Sequence, residues 1–387
     1  MNKSSHEVKK KEILNSAFRT WGKDHFRFCS LSKLAASHNI TKQALYCYFP
    51  SKEKLEMAME EEAAAIYLSY TENLLRQLKK ASGADFAAVY MDESRLFIRE
   101  NLFTFDYISH RFRQDTIPEL FRDSLWKLYR LAEEKAAIPP TGIRYLNAML
   151  INSIHCGGET DSSRWEKAWQ EGFASKEINR IPEFDKILAD AGRTDMGRFK
   201  DPLLNAVFDT VMEEAGGEVS LGKVARRAGL SKSSLYNYWP SKQAMFDDVL
   251  GQQAAIYGNL FSDLLKNYSH PADRLFAYPA FIGMFFLRSP DVLNYIQRMT
   301  ALTGTPLQND SPAAPVFMAP LNDLLASGSI FPRGCTPEEI LVQISMTAIL
   351  EIQYHLTVNS VRIRIEQGLK DTYRLISGGI KALRRTM

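Results

Sequence analysis

The chain has 387 residues, which allows two or more domains, and its apolar content of 45% excludes an intrinsically disordered protein. Its cysteines show no paired spacing, which argues against a zinc site or a disulfide framework and fits a reducing cytoplasm; they are Cys29, Cys47, Cys156 and Cys335. The charged start has no apolar run behind it, and the most apolar stretch, Phe276 to Leu287, is too short to span a bilayer. Neither a signal peptide nor a membrane partner is expected.

Positive charge is concentrated in two segments of the chain. Residues 1–55 hold eleven Lys/Arg against four Asp/Glu, or +7, and residues 198–245 hold seven against five, or +2. Subtracting both from the net charge of +3 leaves −6 for the remainder. Phosphate binding needs such concentrated positive charge. Ordinary variation of a solvated surface stays open as the alternative.

The first predicted helix runs from Glu12 to Trp21, where apolar residues recur at helical spacing; they are Ile13, Leu14, Ala17, Phe18 and Trp21. A basic arm, Lys9 to Lys11, precedes it. Arms of helix-turn-helix proteins contact phosphates or the neighbouring groove. A frayed, solvated terminus is the alternative.

The stretch from Ser30 to Lys52, SLSKLAASHNITKQALYCYFPSK, reads as helix, turn, helix. Leu31, Leu34 and Ala35 fall at i, i+3 and i+4 and form one buried stripe. Asn39 tolerates the left-handed conformation that the turn requires. Thr41 is the expected N-cap of a short second helix, and Ser51 caps the next long helix.

The same pattern occurs again 190 residues later without a gap, from Ser220 to Lys242, SLGKVARRAGLSKSSLYNYWPSK. Gly229 replaces Asn39 in the turn, and Ser231 replaces Thr41 as the cap. A lysine, Lys52 or Lys242, stands in the first turn of the long helix in both copies. Cations are disfavoured at that end of a helix dipole, so the repetition suggests an anionic partner. The simplest account is a duplicated domain of about 190 residues.

Helical periodicity continues after each copy, and no run of alternating residues demands a sheet. The predicted segments of the first unit are 51–80, 84–108, 116–137, 141–156 and 163–190, and 189–197 reads as a linker. Those of the second unit are 241–267, 271–288, 290–302, 315–327, 336–359 and 361–383.

The shared pattern [ST]-K-x-x-L-Y-x-Y-[FW]-P-S-K resembles the DNA-binding domain of the TetR family of bacterial transcriptional regulators. The resemblance implies an all-α fold with two tandem units, each a three-helix DNA-binding head followed by a helical effector-binding and dimerisation domain. The expected domains are 1–55 (the first head), 56–190, 198–245 (the second head) and 246–387. Double-stranded operator DNA is the implied partner, and a repressor is favoured over an activator.

The resemblance also implies which residues contact DNA. Those of the first head are Ser30, Thr41, Lys42, Gln43, Ala44, Tyr46, Tyr48 and Lys52. Those of the second head are Ser220, Ser231, Lys232, Ser233, Ser234, Tyr236, Tyr238 and Lys242. Gln43 can bond adenine in a bidentate way whereas Ser233 is permissive, so the heads are expected to prefer different half-sites. For the two tyrosines before the Pro-Ser-Lys motif, a ring packed in the head is the alternative.

The family's helical domain binds a small molecule, and aromatic residues here suit an apolar, so far unidentified effector. The candidate ligand-binding residues are Phe97, Arg99, Phe103, Tyr107, Phe281, Phe285, Tyr295 and Gln297. An ordinary packed core is the alternative for each aromatic residue.

The family's last two helices form a four-helix dimer interface, so 141–190 is expected to pack against 336–383 as a covalent pseudo-dimer. A further homodimer stays open. A second hypothesis keeps the fold but lets only one head bind DNA, the other serving dimerisation or a protein partner. No metal-ligand spacing, phosphate loop or nucleophile motif is present, so no metal, cofactor or catalytic residue is expected.

Overall fold

A computed structural model of the chain describes residues 3–24, 31–105, 107–108, 119–155, 162–175, 178, 180–194, 199–213, 219–293, 314–358 and 361–384. These residues form helices and, apart from an isolated bridge between Ala174 and Ile330, no β-structure, which confirms the all-α expectation. None of their helices is long and apolar enough to cross a membrane. The predicted site residues Ser30, Tyr295 and Gln297 lie outside the described residues.

The helices divide between a first half, residues 3–194, and a second half, residues 199–384. The first half contains α1 (Lys3–Asp24), α2 (Leu31–Ser37), α3 (Lys42–Tyr46), α4 (Lys52–Lys80), α5 (Phe86–Glu100), α6 (Glu119–Ala136), α7 (Pro140–His155), α8 (Ser162–Glu171) and α9 (Phe184–Ala191). The second contains α10 (Pro202–Glu213), α11 (Leu221–Arg227), α12 (Lys232–Leu235), α13 (Lys242–Leu265), α14 (Pro271–Arg288), α15 (Ala314–Ala326), α16 (Pro337–Thr357) and α17 (Arg362–Arg384).

Three stretches depart from the predicted helix boundaries. The helix predicted over 84–108 is interrupted, because α5 ends at Glu100 and Asn101 is not helical. The basic arm is not a separate segment, because α1 begins at Lys3 and carries Lys9 to Lys11 on its first turns. The single helix predicted over 163–190 is wrong: α8 ends at Glu171, and α9 begins only at Phe184. Gly172, at φ +65°, ends α8 in the left-handed conformation that favours glycine, and Pro182 precedes α9.

Four helices, two from each half, form the centre of the molecule. α7 packs along α16, α8 packs along α17, and α17 also contacts α7. This group is called the internal interface below. The two halves meet a second time where α9 lies on α14. There Asp273 of α14 accepts hydrogen bonds from the Arg180 side chain at 2.8 Å and from the Glu183 amide at 2.9 Å.

A buried ion pair joins the halves at the internal interface. The Arg144 guanidinium of α7 donates from Nε and Nη2 to the two carboxylate oxygens of Glu351 on α16, each at 2.7 Å. The two side chains are 5% and 1% exposed. The guanidinium lies over the ring of Tyr354 at 4.5 Å, and Glu351 Oε1 also bonds His355 Nε2 at 2.8 Å. Bidentate geometry with additional hydrogen bonds to the charged groups is what a buried ion pair needs to persist.

The protonation of Glu351 links this pair to pH. Burial opposes ionisation, but the Arg144 charge and hydrogen bonds from His355 and Arg144 hold the pKa of Glu351 below its ordinary value of 4.5. A carboxylate with a depressed folded-state pKa stabilises the protein above its unfolded pKa and loses that contribution as the pH falls through the folded value. We therefore expect Glu351→Gln to lower the melting temperature at pH 7, and the difference from the unsubstituted chain to shrink progressively as the pH falls below about 4.5 toward the lower folded-state pKa. Melting curves of both proteins between pH 3 and pH 7 measure this; a difference independent of pH would contradict it.

Backbone hydrogen bonds join the end of α8 to the second half. The amides of Phe173 and Ala174 donate to the carbonyls of Ile376 and Ser377 in α17, at 2.7 and 2.9 Å. Approach this close depends on glycine: a Cβ on Gly172 would overlap the Ser377 backbone, and a Cβ on Gly379 would overlap that of Trp169. The segment after α8 is therefore held by main-chain contacts that depend on Gly172 and Gly379.

Candidate nucleic-acid interface

The turn and caps of the first head have the predicted geometry. Asn39 adopts φ 53°, in the left-handed region. The side chain of Thr41 accepts a hydrogen bond from the Ala44 amide at 3.1 Å and so caps α3. Leu45 is fully buried, which fixes α3 against the core of the head. Local chemistry thus determines where the short helix starts and which side faces outward.

The second head repeats this arrangement. Gly229 adopts φ 69°, Ser231 accepts from the Ser234 amide at 3.0 Å, and Leu235 is buried. Ser220, a predicted DNA contact, is exposed and caps α11 by accepting from the Lys223 amide at 3.2 Å. The predicted caps of α11 and of both short helices are confirmed.

The long helices after each short helix also begin as predicted. Ser51 accepts from the Lys54 amide at 3.2 Å, and Ser241 accepts from the Ala244 amide at 3.0 Å. Lys52 and Lys242 each occupy the first turn and are half-buried, and Lys242 Nζ lies 5.8 Å from the Phe246 ring centroid. Each lysine side chain therefore lies at the N-terminus of a long helix. The backbone amides there and the lysine cation together form the kind of site that binds phosphate.

The outer faces of the short helices carry most of the predicted base contacts. Lys42, Gln43 and Tyr46 are exposed on α3. In the second head Lys232, Ser233 and Tyr236 are exposed, whereas Ala44 and Ser234 are half-buried in their respective heads. Each head therefore presents one lysine, one tyrosine and one small or amide side chain on a single surface, a set that can bind both backbone and base edges.

The two tyrosines before the Pro-Ser-Lys motif, both predicted to contact DNA, differ in their surroundings. Tyr48 is half-buried, and the ring of His6 on α1 stacks on it at 4.7 Å between centroids. Tyr238 is 61% exposed and tilts against Trp239 at 6.1 Å. The His6 contact was missed from the sequence because His6 lies in a polar run without periodicity. The sequence does place an aromatic residue, His6, in a basic stretch before the predicted helix. That residue indicates a contact only once α1 is known to begin at Lys3.

The basic extension of α1 is partly neutralised within the protein. Lys9 pairs with Glu12 at 3.0 Å, and Lys11 lies 3.9 Å from Glu62 of α4. Lys10 Nζ lies 5.8 Å from the Phe49 ring centroid. The extension is thus packed beside the Tyr48 end of α3 rather than projecting as an arm, and it adds its charge to the same surface.

Hydroxyl groups of the second head bond to one another. Ser231 Oγ lies 2.8 Å from Ser233 Oγ and 2.7 Å from Ser234 Oγ. Arg227 of α11 is paired with Glu213 of α10. These contacts leave the second head with fewer uncommitted polar groups than its sequence suggests.

The predicted effector residues are dispersed over two places in the first half. Phe97 is buried and stacks on Tyr70 at 4.1 Å, near the Tyr70–Ser94 hydrogen bond of 2.6 Å. Tyr107 packs edge-on against Phe18 of the head at 5.3 Å, and Phe103 lies under the guanidinium of Arg19. Arg99 is exposed and does not line the interior.

The second-half candidates Phe281 and Phe285 belong to one buried aromatic cluster. Tyr257 lies 4.8 Å from Phe281 and 4.6 Å from Phe285, and Phe261 stacks on Phe317 at 4.5 Å. Their rings contact one another, as in a packed core. Among the side chains that the structure describes, no three His, Cys, Asp or Glu residues come together as metal ligands.

Capped helix-turn-helix motifs with an exposed second helix are typical of helical DNA-binding proteins. Residues 210–249 match the sequence family described as "Bacterial regulatory proteins, tetR family". The match spans the end of α10, the whole of α11 and α12, and the start of α13. A search of curated proteins found no relative. The chain therefore carries a TetR-type DNA-binding domain, which supports a DNA-binding transcriptional regulator.

We expect loss of either short-helix cap to destabilise its head. Thr41→Ala and Ser231→Ala each leave an N-terminal amide without its side-chain acceptor, at a cost of about 1 kcal/mol. Hydrogen exchange of the α3 and α12 amides measures the local effect, and Thr41→Ser and Ser231→Thr, which keep the hydroxyl, are the controls. Unchanged exchange in both alanine variants would contradict the capping role.

Proposed function

We propose that this protein is a transcriptional regulator, a repressor rather than an activator, in which the two heads of one chain bind two half-sites of an operator. The observation that carries this proposal is the repeated head geometry: two capped short helices, each exposing a lysine and a tyrosine on one face. Only one head lies within the family match, so the role of the first rests on its matching turn, caps and exposed residues.

Packing at the internal interface supports a covalent pseudo-dimer. Helices α7 and α8 of the first half lie on α16 and α17, the last two helices of the second half, as the resemblance leads one to expect of two subunits. A covalent link gives the second head an effective concentration in the millimolar range once the first is bound. A single chain can then occupy both half-sites, about one helical turn or roughly 34 Å apart.

The half-sites are unlike each other in this proposal. Gln43 can pair in a bidentate way with adenine, whereas Ser233 at the corresponding position is short and permissive. Ala44 can contact a thymine methyl, and Ser234 presents a hydroxyl instead. An operator with two different halves, rather than a palindrome, fits such a chain.

A small apolar effector completes the proposal. It would bind among the aromatic side chains of one half and tilt the helix that begins at Ser51 or Ser241, which changes the spacing of the heads. A ligand shifts this equilibrium only if it binds one head spacing better than the other. An effector that binds tightly but leaves operator affinity unchanged would rule this part out.

The test is selection from a random double-stranded DNA library, with sequencing of the retained fraction and sizing of the complex. Two unlike half-sites one turn apart, bound by one chain, are expected. No enrichment at low salt would remove the DNA-binding proposal.

In the second candidate function, only one head binds DNA, and the other serves dimerisation or binds a protein partner. The Arg227–Glu213 pair and the mutually bonded serines favour the second head as the silent one. A palindrome bound by two chains in the same selection would support this candidate. So would a Lys232→Ala variant whose operator affinity is unchanged.

A further inference from the structure

We infer that Arg144 and Glu351 determine which halves associate, so that the internal interface accepts the unlike half and rejects a like half from a second copy of the chain. This inference rests on the proposed pairing of the halves, and it deepens that proposal by naming the residues that select the partner.

The charges of the two facing helices carry the argument. α7, from Pro140 to His155, contains no Asp or Glu, and α16, from Pro337 to Thr357, contains no Lys or Arg. Two first halves joined through α7 would bring Arg144 against a helix without a carboxylate. Two second halves joined through α16 would bring Glu351 against a helix without a Lys or Arg. This holds for any register of the two helices.

The neighbouring helices do not supply the missing charge from their buried faces. The carboxylates of α8, Glu166 and Glu171, are exposed. On the second-half side, the half-buried cations of α17 pair with other carboxylates, Lys370 with Asp185 and Arg374 with Asp371. The residue of α17 that meets Glu351 is Gly368, where a Cβ would overlap Oε1 of the carboxylate. The pair is therefore complete only when one α7 and one α16 face each other.

The other side-chain hydrogen bonds given between α7 and α16 do not discriminate in this way. Asn152 Nδ2 donates to the Glu339 carbonyl at 2.8 Å, and Gln343 Nε2 donates to the Tyr145 carbonyl at 3.0 Å. Each uses a main-chain acceptor that any helix offers. The ion pair alone among these contacts requires a particular side chain on the partner.

Covalent linkage by itself would not prevent like halves from associating when two chains are bound to neighbouring half-sites of one DNA. There, like halves reach local concentrations comparable with the millimolar value that the linkage provides. A buried charge left without its partner weakens such an association by about 10²- to 10⁴-fold. The pair therefore disfavours the association of like halves under conditions in which the covalent linkage gives no advantage.

The experiment exchanges the charges between two full-length chains. In Glu351→Arg both facing positions are basic, and in Arg144→Glu both are acidic, so each variant alone has a mismatched internal interface. When the two are refolded together, each half finds its opposite charge only in the other chain. Native mass spectrometry is expected to show a species containing one copy of each variant, with a melting temperature above that of either alone.

The double variant Arg144→Glu/Glu351→Arg is the control, because it restores opposite charges within one chain and shows whether an arginine fits beside Gly368. It is expected to be a single-chain species. If this control folds and the mixture of single variants still gives only separate chains, the inference is overturned. Single variants as stable as the unsubstituted chain would overturn it too.

If the double variant does not fold, the neutral pair Arg144→Met/Glu351→Gln decides. Two differently tagged chains of this variant, refolded together at high concentration, should give several-fold more mixed species than two tagged unsubstituted chains. Equal amounts would overturn the inference. All these readouts are masses and melting temperatures without DNA, so they can succeed while the operator selection fails, and the reverse.

Discussion

Arg144→Ala should lower the free energy of unfolding by about 3–5 kcal/mol. The change removes the partner of a carboxylate that is 1% exposed and leaves that charge buried with only His355 beside it. Breaking a buried pair from one side costs this much because the remaining charge has lost both its counter-ion and its hydration. Urea denaturation followed by circular dichroism measures the difference.

Arg362→Ala is the matched control, since Arg362 pairs with Glu366 at 2.7 Å but is 64% exposed. An exposed pair of this kind contributes less than about 1 kcal/mol. The apolar double variant Arg144→Met/Glu351→Leu should be close to the unsubstituted chain, because no uncompensated charge remains. Equal losses in Arg144→Ala and Arg362→Ala would show that the buried pair contributes nothing beyond an ordinary surface contact.

Disabling either head should reduce affinity for a two-half-site operator by about 10²- to 10⁴-fold, because the second binding event is intramolecular. Lys42→Ala/Tyr46→Ala removes the exposed cation and ring from α3, and Lys232→Ala/Tyr236→Ala does the same on α12. Binding titrations at several salt concentrations measure both the affinity and the number of phosphate contacts, and each lost lysine contact should lower the salt slope by about 1.

Lys266→Ala is the control for these titrations, because Lys266 is an exposed lysine just past the far end of α13, paired with Asp263 at 2.6 Å. It should leave the affinity unchanged. A loss confined to the first-head variant would mean that the second head does not bind DNA. Equal losses in the head variants and in the control would point to a general charge effect rather than to recognition.

The heads could be predicted from the sequence because their geometry depends on neighbouring residues. A left-handed turn at Asn39 or Gly229 and a hydroxyl cap at Thr41 or Ser231 are determined within a few residues, and the structure has both. The break between α8 and α9 was also present in the sequence, at Gly172 and Pro182. The apolar periodicity on either side concealed it.

The internal ion pair could not be predicted in the same way. Its members are 207 residues apart, and each is an ordinary polar residue in a helical pattern. Only the packing of α7 on α16 buries both and gives each its partner. Likewise, the stack of His6 on Tyr48 depends on α1 continuing through a charged run that carries no periodic signal.

The backbone hydrogen bonds between the end of α8 and α17 also constrain how the protein is made. Phe173 and Ala174 leave the ribosome long before Ile376 and Ser377, with about 200 residues between them. At roughly 5–20 residues per second, the apolar faces of α7 and α8 wait about 10–40 s for the helices that cover them. During synthesis, the first half is therefore incomplete. It depends on protection from aggregation until α16 and α17, at the C-terminus of the chain, have been made.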